Sequence, residues 1–543
     1  MIIPSDRSRL LPVVVTLIAA IGGMLVAWRY HSLGLTLSHY DARGHLIVAR
    51  RIFDSITPGW QQIGAVWLPL PHLLNALPVQ IDLFYRTGAS AVAISVASYG
   101  VTTGAIAWIV WTLTTSTPAA IAAAIVFACN PNVLYLQATP MTEPLLLATI
   151  TVGVAALMAW TREASRTTHQ APSTSHPAPR TSHPAPSTSM VGLLLASACL
   201  TRYEAWTVTA CALAGAVWAR WRHGEPMIAA VRRVAAIAMY PGLALVGFAI
   251  FSRVVVGQWF VSSDFFVPEN KALGHPWLAV DEIAWGTRLL SGALLIAAGS
   301  VGAVLLAVRG LTRRRPDALI ALALVATAAI PWAAFVKGHP FRIRYMVPLI
   351  VIEAIGSGVL AGAVPRRRMR TAGAVALLVL AAYDLRPLDL SAPMVVEAQW
   401  DRPNQPLRAQ VTACLGAPGG GAKIMASMGS LGHYMQEASA AGFALRDFLH
   451  EGNGDIWLAA LENPWPFANW ILIEEKAEGG DMLAHLAREH PSFLKGYQRT
   501  CEGAGLALYK RTVPRRSELE MERQQIVESA EADLAAGKAL VGW

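Results

Sequence analysis

LSHYDARGHLIVARRIFDSITPGWQQIGAVWLPLPHLLNALPVQIDLFYR, residues 37–86, follows the first apolar run of this 543-residue chain. It is too long and too patterned for a plain connection. Ile47, Val48, Ile52 and Phe53 mark an apolar side on a short helix ending before Pro58. The Trp67 to Leu77 stretch mixes apolar, Pro and aromatic residues suited to a membrane interface. Both segments are expected to lie along a membrane face. Asp41 stands at the start of this layer, about one helical turn from His45. An acid at the mouth of a membrane cavity is costly, which makes Asp41 a functional candidate. Capping the helix over residues 42–53 is its competing role.

Outward from that loop the chain is a succession of apolar runs. Mean hydropathy is +0.43; 54% of residues are hydrophobic and only 15% charged, against about a quarter in soluble proteins. Runs long enough for a ~30 Å hydrocarbon core recur from residue 10 to residue 384. The first, Leu10 to Ala27, follows Arg7 and Arg9 and lacks a small-residue cleavage site, so it is an uncleaved span with the N-terminus cytoplasmic. Further spans are expected near 88–113, 118–137, 142–160, 190–203, 205–221, 228–252, 287–308, 317–336, 345–363 and 371–384, about eleven in all. Alternation then puts Arg162 and Arg166, Arg220 to Arg233, Arg309 to Arg315 and Arg366 to Arg370 inside. The positive-inside bias is met at each long basic turn. Everything after about residue 386 is delivered outside, as expected for a multi-pass protein of the plasma (inner) membrane.

The charge of +9 is concentrated in those turns, so no nucleic-acid partner is inferred. Residues 163–189 are rich in Ser, Thr, Pro and His, with SHPAP at 175 and again at 182, and read as a disordered cytoplasmic linker. His169, His176 and His183 recur in it as parts of a solvated spacer. Over residues 396–512, strand-like runs from Lys423, Asn469 and Gly505 alternate with amphipathic stretches such as Met482 to Arg488, which predicts a small α/β domain. Cys414 and Cys501 fall near its two ends, open to pairing or to burial as free thiols. Residues 513–543 carry helical spacing among acids and read as an amphipathic surface helix. The five cysteines show no zinc-type spacing.

Three more clusters fall on the expected outer side. Glu143 begins span four in MTEP; Arg202, Tyr203 and Glu204 lie between spans five and six; Lys337, His339, Arg342 and Arg344 lie between spans nine and ten. Outer cations run against the positive-inside bias, and an anionic ligand explains them. Arg suits a phosphate through its planar fork of donors, whereas snorkelling to lipid headgroups is the plainer alternative.

These residues resemble the polytopic GT-C superfamily of glycosyltransferases, particularly the family 39 branch with protein O-mannosyltransferases and the aminoarabinose transferases of lipid A. The likeness covers about residues 10–350 and rests on Asp41 in HYDARGH, the amphipathic first loop, Glu143 in MTEP, and many spans followed by an outer domain. It implies a mainly α, polytopic fold: residues 1–385 as the catalytic membrane domain, then the small C-terminal extracytoplasmic α/β domain. It also implies transfer of a sugar from a polyprenyl-phosphate carrier to a protein, lipid or glycan acceptor among the membrane lipids. Asp41 matches the family's catalytic acid and Glu143 its second outer-loop acid. No WWDYG-like motif is present, which disfavours an asparagine oligosaccharyltransferase, and Asp41 lacks the second acid of a DxD or ExD pattern, so no divalent metal cofactor is expected. Arg202, Arg342 and Arg344 are the expected phosphate clamp; His45, Glu204, Lys337, His339 and Tyr203 are expected to position substrate. A transporter or flippase of a lipid-linked or anionic substrate is the alternative, disfavoured by the long first loop and the outer domain. A non-catalytic scaffold leaves the clustered outer charges unexplained.

Overall fold

The computed structural model describes residues 7–169, 186–259, 270–312, 315–419 and 421–512. Two compact units emerge: Met1–Phe53 with Gly59–Arg402, and Asp54–Pro58 with Pro403–Trp543.

The first unit is a helical bundle. Seven of its helices are long and apolar enough to cross a membrane: Leu10–Ser32, Ala89–Thr114, Glu143–Arg162, Met227–Val256, Ala293–Leu311, Ala318–Val336 and Ile343–Gly362. Thr117–Ala128 and Thr188–Cys199 are apolar but shorter. The remaining two expected spans are the helices Glu204–Arg222 and Arg367–Asp384, which carry arginines in their terminal turns. The chain is a multi-pass membrane protein. Burial separates lipid-facing helices from central ones: 17% of the Leu10–Ser32 window is covered by protein, against 83% of Ile343–Gly362. Small residues permit the tightest crossing. A Cβ at Gly302 would collide with the carbonyl oxygen of Gly356, so the helices Ala293–Leu311 and Leu349–Gly362 meet backbone to backbone. Ala318–Val336 is broken by a 3-10 turn over Ala323–Ala328, where the Thr207 hydroxyl donates to the Ala326 carbonyl at 2.7 Å. That bond satisfies a backbone group which a membrane interior would otherwise leave bare.

The first loop forms a short helix, Tyr40–Arg50, followed by the single turns Trp60–Ile63 and Leu70–Asn75. Leu46, Ile47 and Val48 are buried, while Phe53, Trp60, Leu73, Leu74 and Leu77 stay exposed. Such an apolar exposed layer suits a membrane surface.

The second unit is built on a five-stranded sheet: β1 (Ile424–Ala426), β2 (Phe448–Leu449), β3 (Trp470–Glu474), β4 (Tyr497–Gly503) and β5 (Leu506–Arg511), in the order β2-β1-β3-β5-β4. β1 pairs in parallel with β2 and β3, while β5 lies antiparallel to β3 and β4. Met425, Leu449, Ile471, Ile473 and Trp457 form its core, joined by Ile56 from the first loop. Asp54 accepts from the backbone N–H groups of Leu445 and Arg446, and the Asn453 amide donates to the hydroxyls of Ser55 and Thr57. Cys414 and Cys501 form a disulfide that ties the helix Gln405–Cys414 to β4. The expected linker is helical as far as His169, and the next helix starts at Thr188. The histidine repeat at 176 and 183 and the helix expected over 513–543 lie outside the described residues.

Candidate functional site

Three acids sit in the first turns of three different helices: Asp41 in Tyr40–Arg50, Glu143 in Glu143–His169 and Glu204 in Glu204–Arg222. The unpaired backbone N–H groups of a helix start favour negative charge there. Two arginines from outside the α-helices meet these acids. Arg344, in the Ile343–Met346 turn, donates from Nη1 to Asp41 Oδ2 across 303 residues of sequence. Arg202, just ahead of Glu204, binds Glu204 Oε1 through Nε and Nη2 at 3.2 and 2.9 Å. Its Nη1 reaches the Thr142 hydroxyl at 3.1 Å and Glu143 Oε1 at 3.0 Å. The Glu143 contact is an ion pair without hydrogen-bond geometry, for both Glu143 carboxylate oxygens lack a hydrogen bond.

Asp41 is not the cap of its helix. The His39 side chain is, accepting from the Asp41 backbone N–H at 3.1 Å, which leaves the Asp41 carboxylate for Arg344. Burial by itself would raise this carboxyl; Arg344, with His39 and His45 nearby, more than offsets that and holds it at about 2. Oδ2 carries the Arg344 bond, and Oδ1 accepts no hydrogen bond among the described residues. Arg344 keeps unused capacity too, because its Nε is buried without a partner. An anion placed there would satisfy it.

His45 lies one turn beyond Asp41 on the same helix face. Its ring rests against Trp67 with centroids 4.1 Å apart, and its Nδ1 meets His72 Nε2 at 3.1 Å. His72 in turn faces the Leu68 carbonyl through Nδ1 at 3.1 Å. Burial and then His72 hold His45 well below the ordinary histidine range, and burial with Arg51 holds His72 at about 3. Both rings are neutral at physiological pH.

The other expected site residues are placed as follows. Arg342 stacks its guanidinium 5.9 Å over the Trp400 ring. His339 donates to the Pro340 carbonyl at 2.9 Å and touches the Tyr345 hydroxyl at 3.5 Å; burial, aided by Arg342 and Arg344, lowers its pKa. Tyr203 donates to the Val66 carbonyl at 3.3 Å and meets Trp206 edge to face, so it anchors the first loop to the start of Glu204–Arg222. Lys337 is exposed, with no side-chain hydrogen bond or ion pair among the described residues. Sequence reasoning missed His39 with its neighbour Glu397 at 3.6 Å, His72, and Trp400. The signal for His72 was a single histidine inside an apolar, Pro-rich run.

The bundle also holds an apolar groove lined by Pro12, Trp108, Ala155 and Met190, with no titratable group on its walls. It offers lipid packing and no chemistry. The chemistry-bearing residues are those of the acid and arginine layer, at the end of the bundle where the first loop lies.

A polytopic bundle with an amphipathic first loop, an acid and arginine layer at one end and a small terminal sheet unit is the mainly α fold expected from the sequence. No family model matches the chain, and no curated protein matches it in sequence. Among solved structures, ArnT from Cupriavidus metallidurans bound to undecaprenyl phosphate superposes with a TM-score of 0.53 at 13% identity, over 91% of this chain and 99% of ArnT. ArnT in the apo state gives the same TM-score and identity over 92% and 99%. An Archaeoglobus fulgidus oligosaccharyltransferase in complex with zinc and sulfate gives 0.45 at 11% identity, over 92% of this chain and 74% of that one. The chain has the ArnT fold.

Proposed function

We propose that this protein is a membrane glycosyltransferase that moves one sugar from a polyprenyl-phosphate carrier to an acceptor hydroxyl, at the outer membrane face and with inversion. The observation that carries this reading is the buried Asp41–Arg344 pair, with one carboxylate oxygen and one guanidinium nitrogen left unused. The shared fold with ArnT, itself seen with undecaprenyl phosphate, supports the class of donor.

In this scheme the carrier phosphate engages Arg344 through its unsatisfied Nε, with the stacked Arg342 beside it. Arg202 already holds two acids and Thr142, so it serves as a frame for Glu143 and Glu204. Drawing Arg344 toward phosphate weakens its hold on Asp41 and returns that carboxyl toward its ordinary range, making it a better base. The acceptor oxygen attacks the anomeric carbon as its proton passes to Asp41. The bond from that carbon to the phosphate oxygen breaks, and the electron pair leaves on the carrier phosphate, where the arginines stabilise it. One displacement inverts the centre, since no covalent sugar intermediate intervenes. Glu143, with both oxygens free of hydrogen bonds, is the second acid and holds a sugar or acceptor hydroxyl; His45, Glu204 and His339 line the approach, and Tyr203 fixes the loop. The arginines supply the positive charge that a divalent metal would otherwise bring. The orientation with the N-terminus cytoplasmic and residues 403–512 outside is supported by the basic turns and by the Cys414–Cys501 disulfide, a bond favoured in an oxidising compartment.

The test compares glycolipids and glycoproteins by mass spectrometry in cells carrying wild type or Asp41→Asn. Loss of one glycosylated product, with turnover by the purified variant lowered roughly 10²-fold or more, is expected. Near wild-type transfer by folded Asp41→Asn protein overturns the assignment of the base.

A further inference from the structure

The pair of buried histidines beside Asp41 has a proton arrangement that the geometry dictates. The Leu68 carbonyl can only accept, so His72 Nδ1, 3.1 Å away, carries a hydrogen. A neutral ring protonated at Nδ1 has a bare Nε2. His72 Nε2 therefore accepts, and His45 Nδ1, 3.1 Å from it, donates. His45 is then left with a bare Nε2, which makes no hydrogen bond among the described residues although the residue is only 7% exposed. A second proton on either ring is opposed by burial first, then by the neighbouring charges: His72, Arg202 and Arg344 act on His45, and Arg51 acts on His72. Asp41 favours it on His45 and the Leu68 carbonyl favours it on His72, and neither outweighs the opposition. Trp67 holds the plane of the His45 ring, and a flip of its donor and acceptor would break the chain to Leu68.

We propose that His45 reads a hydroxyl: its fixed Nε2 lone pair accepts a hydrogen bond from an O–H group of the transferred sugar or of the acceptor. This rests on the glycosyltransferase reading and gives it a specificity residue. An acceptor-only nitrogen repels phosphate and carboxylate oxygens, so the ligand group it fits is neutral and carries a hydrogen. A deoxy ligand would leave that nitrogen buried and unpaired, the situation in which polar sites discriminate most strongly. Asparagine or glutamine could turn its amide to suit either partner; this ring cannot.

The experiment uses the full chain in detergent with ¹⁵N-labelled histidine. The expected spectrum of the free protein has pyrrole-type Nδ1 and imine-type Nε2 signals for both His45 and His72, unchanged from pH 5.5 to 8. Undecaprenyl phosphate, which has no sugar hydroxyl, should leave the His45 Nε2 signal in place. Undecaprenyl-phosphoryl pentose or hexose should move it without protonation if the hydroxyl belongs to the donor; a soluble alkyl glycoside should do so if it belongs to the acceptor. His45→Phe should then weaken binding of whichever probe moved the signal by tenfold or more, with undecaprenyl phosphate binding kept, and His45→Gln should recover most of the loss. A protonated Nε2 in the free protein overturns the inference, as does a signal that none of the sugar-bearing probes moves. Failure of undecaprenyl phosphate to bind wild type, with the tautomers as stated and the glycoside arm positive, counts against the donor assignment and leaves the hydroxyl reading standing.

Discussion

Two arginine centres share one end of the helical unit, and they are built to opposite rules. At the first, Arg344 meets a single acid, Asp41, and keeps a buried Nε without a partner. At the second, Arg202 is shared by Glu143 and Glu204 and adds the Thr142 hydroxyl, so its donors are largely taken. Buried ion pairs gain little net stability over apolar packing, but removing one partner is costly. A centre whose arginine is shared by two acids and a hydroxyl is therefore suited to fixing two helix starts in place. A centre with donors to spare is suited to binding something. On the proposed function, the contrast makes Arg202 the frame and Arg344 the residue that meets the phosphate.

Removing the frame is the largest perturbation available. Arg202→Ala would leave Glu143, fully buried, and Glu204, 4% exposed, without the arginine that both pair with. A loss of roughly 3–5 kcal/mol in unfolding free energy is expected, read from chemical denaturation in detergent. Adding Glu143→Gln and Glu204→Gln to the same chain should restore much of that loss, because the buried charges go with the arginine. Wild-type stability in Arg202→Ala would erase the distinction between the two centres.

How far the sequence foretold this differs between fold and site. Apolar runs marked the seven helices long and apolar enough to span and the shorter ones beside them, because the requirement of a hydrocarbon core acts on composition directly, but they did not mark the break at Gly292, where the span expected over 287–308 divides into Pro276–Ser291 and Ala293–Leu311. The seven-residue β4 escaped notice, since its residues YQRTCEG are polar and mostly exposed, as an edge strand's are. At the site, Asp41, Glu143, Arg202 and Arg344 were each conspicuous as charges out of place. Their pairing was not, because Asp41 and Arg344 are 303 residues apart and nothing local encodes who meets whom. The same holds for residues 54–58, which look like loop and fold into the C-terminal unit through Asp54, Ser55, Ile56 and Thr57. Asp41 as a helix cap was a fair local reading that lost to His39, one turn position earlier in effect but two residues away in sequence.

The second prediction tests the working centre. Arg344→Ala should weaken undecaprenyl phosphate binding by about 1.5–3 kcal/mol, roughly ten- to a hundredfold, as a charge-assisted bond to phosphate is lost. Arg344→Lys should recover part of this, since a point charge replaces the fork. Binding is to be measured at a protein concentration and temperature where each variant is folded. Equal losses from Arg202→Gln and Arg344→Ala would collapse the comparison, and unchanged binding in Arg344→Ala would move the phosphate elsewhere.

The smallest effect concerns acid, and it separates the site's stability from its activity. His45 and His72 both have depressed pKa values, His72 at about 3 and His45 well below the ordinary range, because burial and neighbouring positive groups disfavour their cations. In the unfolded chain each takes a proton near pH 6.5, while in the folded chain neither does. The unfolded state thus binds more protons in that window, so stability is full above about 6.5 and is lost as pH falls below it, by at most about 1.4 kcal/mol per pH unit for each histidine. Asp41 adds its own loss only lower, as pH falls from about 4 toward 2, since its folded carboxyl sits at about 2. Activity should not follow this slope. The pH dependence of kcat/KM reports groups of the free enzyme, and none of Asp41, His45 or His72 titrates there between pH 5.5 and 7.5. A flat contribution from these three is expected over that range, even as denaturation midpoints decline toward the acid side, and His45→Gln should make the decline shallower. An acid limb in kcat/KM near 6.5 that disappears in His45→Gln would show that the His45 ring is charged and open to water, and would remove the neutral histidine pair from the site.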